Sequence, residues 1–81
     1  MNQLEQLETI VRLGKDISQT RGKDIFLYYL RLYRSKGFNK EQFELLMLKY
    51  NILKKEYLNV IDLLQKTEVI DLLITSILHP S

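Results

Sequence analysis

The chain has 81 residues, a formal net charge of +2 at pH 7, one histidine and no cysteine, and 46% of it is hydrophobic. This length predicts one small domain over residues 1–81, and the lack of cysteine excludes disulfide bonds and thiolate metal sites. The longest apolar run, residues 25–30, is far too short to cross a membrane, so we expect a cytoplasmic protein without membrane contact, cofactor or metal.

The first predicted element is an amphipathic helix over about residues 2–18. Its apolar side chains fall in two neighbouring rows, one of Leu4, Leu7 and Val11 and one of Ile10, Leu13 and Ile17. Together the rows form a wide apolar stripe at helical spacing. Gly14 either weakens this helix by about 1 kcal/mol relative to alanine or lets another backbone approach closely.

The second predicted element is the segment DIFLYYLRLYRSKG, residues 24–37, which is apolar on almost every side of a helix. Its aromatic content would also suit a strand, but no second strand is present to pair with it. We therefore expect a central helix that follows an N-cap at Thr20 or Asp24 and stops at Gly37. At least one of its tyrosines should face a partner, because so apolar a helix does not stay exposed.

The third element begins at the segment FNKEQF, residues 38–43. Asn39 has the side chain of an N-cap, and Gln42 stands three residues later, where a capping box closes. Phe38 and Phe43 stand at the spacing of a hydrophobic staple. These signals predict a helix that starts at Lys40.

The end of this helix has two interpretations. A seven-residue apolar period over residues 43–64 favours one long helix, spanning residues 40–66, with a coiled-coil-like seam. That seam would supply a homodimer interface made of Tyr50, Leu53, Tyr57, Val60 and Leu64. Alternatively, the chain breaks at Asn51, which tolerates a left-handed backbone, and a second helix covers residues 54–64.

The two-helix interpretation also permits a helix-turn-helix that binds DNA. Its nucleic-acid contacts would be Lys49, Lys54, Lys55 and Asn59. Met47 argues against this motif, because a small residue is usually needed where its two helices cross.

The last part of the chain repeats the sequence VIDLL at residues 60–64 and 69–73. A nine-residue offset on one helix equals 2.5 turns, which would point the two copies in opposite directions. The spacing therefore predicts a break between two helices, each with an apolar face, and an N-cap at Thr67. His79 and Pro80 end the final helix.

Little in the sequence points to catalysis. The single histidine, His79, lies two residues from the C-terminus, and no phosphate-binding loop or nucleophile motif is present. A pair of carboxylates that meet in space would still allow acid–base chemistry. We expect a protein that is not an enzyme and has no small-molecule substrate.

The positive charge is concentrated in the middle of the chain. Residues 21–55 hold nine basic and three acidic side chains, a net charge of +6, whereas both flanking segments are negative. This pattern indicates an anionic partner or ordinary solvated helix faces. The contact candidates are Arg31, Arg34, Lys36 and Lys40, next to the tyrosines.

The sequence as a whole predicts an all-α bundle of four to five helices. The leading functional hypothesis is a small interaction or regulatory protein that binds another protein through a basic and aromatic helical surface, as a homodimer. The alternative is a helix-turn-helix DNA-binding regulator.

Overall fold

A computed structural model describes residues 2–80 as five α-helices and one 3₁₀ helix, without a strand among those residues. The elements are α1 (Gln3–Ser18), α2 (Lys23–Lys36), α3 (Lys40–Lys49), α4 (Lys54–Tyr57), the 3₁₀ helix (Ile61–Gln65) and α5 (Thr67–Leu78). The all-α prediction is confirmed. None of these helices is both long and apolar enough to span a bilayer.

The C-terminal helix α5, rather than α2, lies at the centre of the fold. It packs mainly against α1 and also against α2 and the 3₁₀ helix. Leu73 and Ile77 of α5 have no exposed surface. The expectation of a central α2 is wrong, because α2 buries one face while Tyr28 and Arg31 stay exposed.

Helix α1 approaches α5 closely at Gly14. A Cβ atom built on Gly14 would lie 2.4 Å from the Cβ of Ser76 and 3.2 Å from the carbonyl carbon of Ser76. The glycine therefore permits a close helix crossing, as one of the two sequence interpretations proposed. Ser76 itself donates its hydroxyl hydrogen to the carbonyl of Leu72 in the same helix.

The connection between α1 and α2 does not use the predicted caps. The residue before α2 is Gly22, which has a left-handed φ of 81°, and neither Thr20 nor Asp24 caps the helix. The Thr20 hydroxyl instead donates to the carbonyl of Ile17 at the end of α1, 2.7 Å away. Glycine is needed because a Cβ at position 22 would lie 2.6 Å from the Tyr50 hydroxyl oxygen.

The start of α3 agrees with the capping prediction. The Asn39 side-chain oxygen accepts a hydrogen bond from the Gln42 backbone N–H at 3.0 Å. The rings of Phe38 and Phe43 lie 5.3 Å apart between centroids, which fixes the direction from which the chain enters the helix.

The end of α3 shows that the single long helix over residues 40–66 is wrong. Asn51 has a φ of 60°, and the backbone N–H of Ile52 donates to the carbonyl of Met47 while that of Asn51 donates to Leu48. These two bonds form a Schellman motif, which terminates a helix on a left-handed residue. The following helix, α4, has only four residues instead of the expected span of residues 54–64.

The two VIDLL copies fold as two separate helices, as their spacing predicts. The first, second and fifth residues of each copy are buried: Val60, Ile61 and Leu64, and Val69, Ile70 and Leu73. The predicted N-cap at Thr67 is wrong by one residue, because Lys66 precedes the helix and Thr67 begins it. The Thr67 hydroxyl bonds the Glu68 carboxylate rather than a backbone N–H.

Tyr33 carries a buried hydroxyl group that has no hydrogen-bond partner among residues 2–80. Its side chain is 2% exposed, and burial, together with the nearby Tyr29, raises the pKa of the Tyr33 phenol to about 12. Replacing Tyr33 with phenylalanine removes this hydroxyl, so the free energy of unfolding at pH 7 should stay the same or rise by up to about 1 kcal/mol. Urea denaturation followed by circular dichroism measures the difference.

The pH dependence gives a second measurement on Tyr33. An unfolded tyrosine titrates near pH 10, so the stability linked to the raised pKa of Tyr33 is complete below pH 10 and is lost as pH rises through about 12. A difference of two pKa units corresponds to roughly 3 kcal/mol in the free energy of unfolding. The wild type should lose this stability at high pH, whereas the Tyr33→Phe variant should not. The matched control is Tyr28→Phe, because that ring is 62% exposed. Equal alkaline losses in both variants would contradict the buried environment of Tyr33.

Candidate protein-binding surface

The predicted dimer interface is not a surface of the folded chain. Tyr57 is 4% exposed, and Val60 and Leu64 are completely buried in the core. Only Leu53 among the five predicted residues is largely exposed, at 55%. The prediction is wrong because the seam required a continuous helix, whereas the turn after α3 directs these side chains inward.

The four predicted partner-binding cations are exposed but do not share one face. Arg31 and Lys36 are five residues apart on α2, which separates them by about 140° around the helix. Arg34 donates from Nε to a carboxylate oxygen of Asp71 at 2.5 Å, and this bond and charge raise the pKa of the guanidinium further. Lys40 begins α3. These cations therefore do not form a single charged patch.

The helix-turn-helix prediction lacks its recognition helix. The residues assigned to nucleic-acid contact, Lys49, Lys54, Lys55 and Asn59, are all exposed. However, α4 spans a single turn, which is too short to lie in a major groove and present several side chains to base edges. Lys49 instead has its ammonium group 5.8 Å from the centre of the Tyr50 ring.

The outer face of α3 carries the two most exposed large apolar side chains among residues 2–80. Leu48 is 73% exposed and Leu45 is 66% exposed, while Phe43 and Met47 on the opposite face are fully buried. The sequence carried a signal for this arrangement. Four consecutive apolar residues at 100° intervals, residues 45–48, surround most of a helix, so some of them must face away from the core.

Two apolar grooves flank this face. The groove between α2 and α3 has a volume of about 430 Å³, and its lining includes Ile25, Tyr29, Leu45 and Lys49. The groove between α3 and α4 has a volume of about 370 Å³, and its lining includes Leu48, Ile52, Leu53 and Lys54. We call the exposed residues Ile25, Leu45, Leu48 and Leu53, with the bordering Lys49 and Lys54, the α3 surface.

The two grooves beside α3 are lined mainly by apolar side chains. The α3–α4 groove has one carboxylate, Glu44, and the α2–α3 groove has none. A third groove, between α1 and α5, has Glu8 and His79 among its lining residues. No three acidic or histidine side chains among residues 2–80 meet as metal ligands.

No family model, curated protein or solved structure matches the chain. The interpretation of the α3 surface therefore rests on its geometry, exposure and charge.

Proposed function

We propose that the chain is a non-enzymatic interaction protein that binds an acidic amphipathic helix of another protein across the α3 surface. The observation that supports this function is the exposure of Leu45 and Leu48 between two apolar grooves. Amphipathic helices bind in this way, with side chains at intervals of three and four residues inserted into an apolar groove.

The apolar part of the α3 surface supplies most of the binding energy. Burial of one leucine side chain contributes about 1.5–3 kcal/mol, and Leu45 and Leu48 stand side by side on the same helix face. The half-buried Tyr29 forms part of the wall of one groove. A partner helix that covers both leucines would also cover Ile25 or Leu53, depending on which groove it enters.

The charge around the α3 surface favours an acidic partner. Lys49 lines the groove on one side of α3 and Lys54 lines the groove on the other. They belong to residues 21–55, whose net charge is +6. Such a field accelerates encounter with an acidic protein and fixes its orientation, and added salt weakens this effect.

A protein partner fits this surface better than nucleic acid does. Phosphate groups are held by cations and hydrogen-bond donors, and their contacts dominate the affinity for DNA. On α3 the most exposed large apolar side chains are Leu45 and Leu48, which offer neither charge nor a donor.

The partner affinity of the Leu48→Asp variant tests this function. The native partner is first captured from the source cells with the wild-type chain and then purified for direct titration. Because a central anchor residue contributes about 2 kcal/mol or more, Leu48→Asp should raise the Kd by roughly 30-fold or more. Since Leu48 is 73% exposed, the variant should keep the circular dichroism spectrum of the wild type.

The matched control is Leu78→Asp, which places the same charge on an exposed apolar residue of α5, outside the α3 surface, and should leave partner affinity unchanged. Unaltered affinity of Leu48→Asp would refute the proposed surface. Tight binding of duplex DNA that weakens steeply with salt and survives Leu48→Asp would favour the nucleic-acid alternative.

A further inference from the structure

One of the two apolar rows of α1 is left outside the core. Ile10 and Ile17 of the inner row are fully buried. In the outer row, Leu4 is 65% exposed, Val11 is 43% exposed and Leu7 is half-buried. The outer row lies about 120° around the helix from the inner row and follows the three-and-four spacing of helix–helix contacts.

The outer row forms one wall of the third groove, which has a volume of about 630 Å³. Leu7 and Val11 of α1 and Leu72 and Ser76 of α5 contribute to its lining. Gly14 lies next in the spacing of the outer row, but it is buried against Ser76 of α5 and does not line the groove. The volume and the apolar lining residues of the groove allow it to accept the side chains of another helix.

Apart from Asp16, the exposed charges of α1 are arranged with opposite signs along the helix. Glu5 and Glu8 lie in the N-terminal half, and Arg12 and Lys15 lie in the C-terminal half. All four are exposed, and none forms an ion pair with another described residue. An antiparallel copy of the same helix would place acids opposite bases.

We infer that the chain forms a two-fold symmetric homodimer in which the outer row of α1 packs antiparallel against the same row of a second copy. With the axis level with Thr9, Leu7 lies against Val11 of the second copy. Glu5 and Glu8 then lie near Arg12 and Lys15 across the interface. Such a self-complementary contact is the form that a symmetric dimer requires.

The length of α1 limits the extent of such a contact. The 16 residues of α1 span about 24 Å. A stable interface buries about 800 Å² on each partner, which is roughly a seventh of the 5300 Å² surface of the described chain. The exposed charge pairs add little affinity, so their main effect is to select the antiparallel orientation.

This inference is independent of partner binding by the α3 surface, because the two surfaces lie on different helices. A dimer would carry two α3 surfaces and could hold two partner helices at once.

Sedimentation equilibrium of the full chain tests the dimer. A moderately stable dimer is populated at a chain concentration of about 100 μM. Under this condition the wild type should have twice the 9.7 kDa mass of one chain. Val11→Asp places a charge in the centre of the interface and should give a monomer with an unchanged circular dichroism spectrum. Leu48→Asp, the matched control on α3, should stay dimeric. A monomeric wild type, or a dimeric Val11→Asp, would overturn the inference.

A charge exchange tests the orientation. Glu8→Arg and Arg12→Glu should each raise the dimer dissociation constant by about fivefold, because each places like charges across the interface. The variant with both substitutions restores opposite charges and should return to within about twofold of the wild type. A combined variant that is weaker than either single variant would overturn the antiparallel arrangement.

Discussion

Replacement of Phe43 by alanine is expected to lower the free energy of unfolding by about 3–5 kcal/mol. The Phe43 side chain has no exposed surface, and its ring centroid lies 5.3 Å from that of Phe38 and 5.7 Å from that of Tyr57. Truncation would leave a cavity where the entry to α3 meets α4. Because small domains have only 5–15 kcal/mol of stability, this loss should be visible as a large shift of the urea midpoint.

The matched control for Phe43→Ala is Leu45→Ala, two residues later on the same helix. Leu45 is 66% exposed, so its truncation should change the free energy of unfolding by no more than about 0.5 kcal/mol. A larger loss for Leu45→Ala than for Phe43→Ala would mean that α3 turns its other face to the core. That result would also remove the α3 surface as a binding site.

Substitution of Gly14 by alanine is expected to destabilise the fold although alanine is the better helix former. The added Cβ would lie 2.4 Å from the Ser76 Cβ, so α1 and α5 must move apart. Overpacking of this kind costs up to about 3 kcal/mol. The higher helix propensity of alanine offsets at most about 1 kcal/mol of this destabilisation. A net loss of roughly 1–2 kcal/mol in urea denaturation should result.

A second substitution separates the steric effect from other causes. Ser76→Gly removes the atom nearest to the new Cβ, so Gly14→Ala should be less harmful in a Ser76→Gly background than in the wild type. The exposed neighbour Lys15→Ala should have little effect on stability. An increase in stability on Gly14→Ala would contradict the close crossing of α1 and α5.

The features that the sequence predicted well are local ones. Asn39 and Gln42 lie three residues apart, so the start of α3 depends on a backbone geometry that neighbouring residues determine. The end of α3, in contrast, depends on packing between residues that are far apart in the chain, so the local sequence left it ambiguous. Both the heptad period and the turn at Asn51 fit the local sequence, and burial of Tyr57, Val60 and Leu64 in the tertiary core is consistent only with the turn.

The candidate surface could be predicted only in part. Arg34 was a contact candidate, but Asp71, 37 residues away in the chain, pairs with it, and no local pattern indicates such a contact. The apolar run that contains Leu45 and Leu48 was visible in the sequence. Which of its members face outward depends on where the core lies relative to α3, and only the packed structure determines that.

The predicted dimer interface also depended on tertiary packing. The large apolar content of so short a chain suggests a second copy, and the heptad period places the interface from Tyr50 onward. The structure buries most of that seam and instead leaves Leu4 and Val11 of α1 exposed and Leu7 half-buried. Two apolar rows on α1 were apparent in the sequence, but either row could have faced the core.

Methyl NMR of the leucine residues, recorded with and without the captured partner, tests binding through the α3 surface most directly. We expect the methyl signals of Leu45 and Leu48 to shift or broaden on addition of partner, while those of the buried Leu73 keep their positions. Changes confined to Leu4 and Leu7 of α1, with the α3 signals unchanged, would contradict the proposed binding surface.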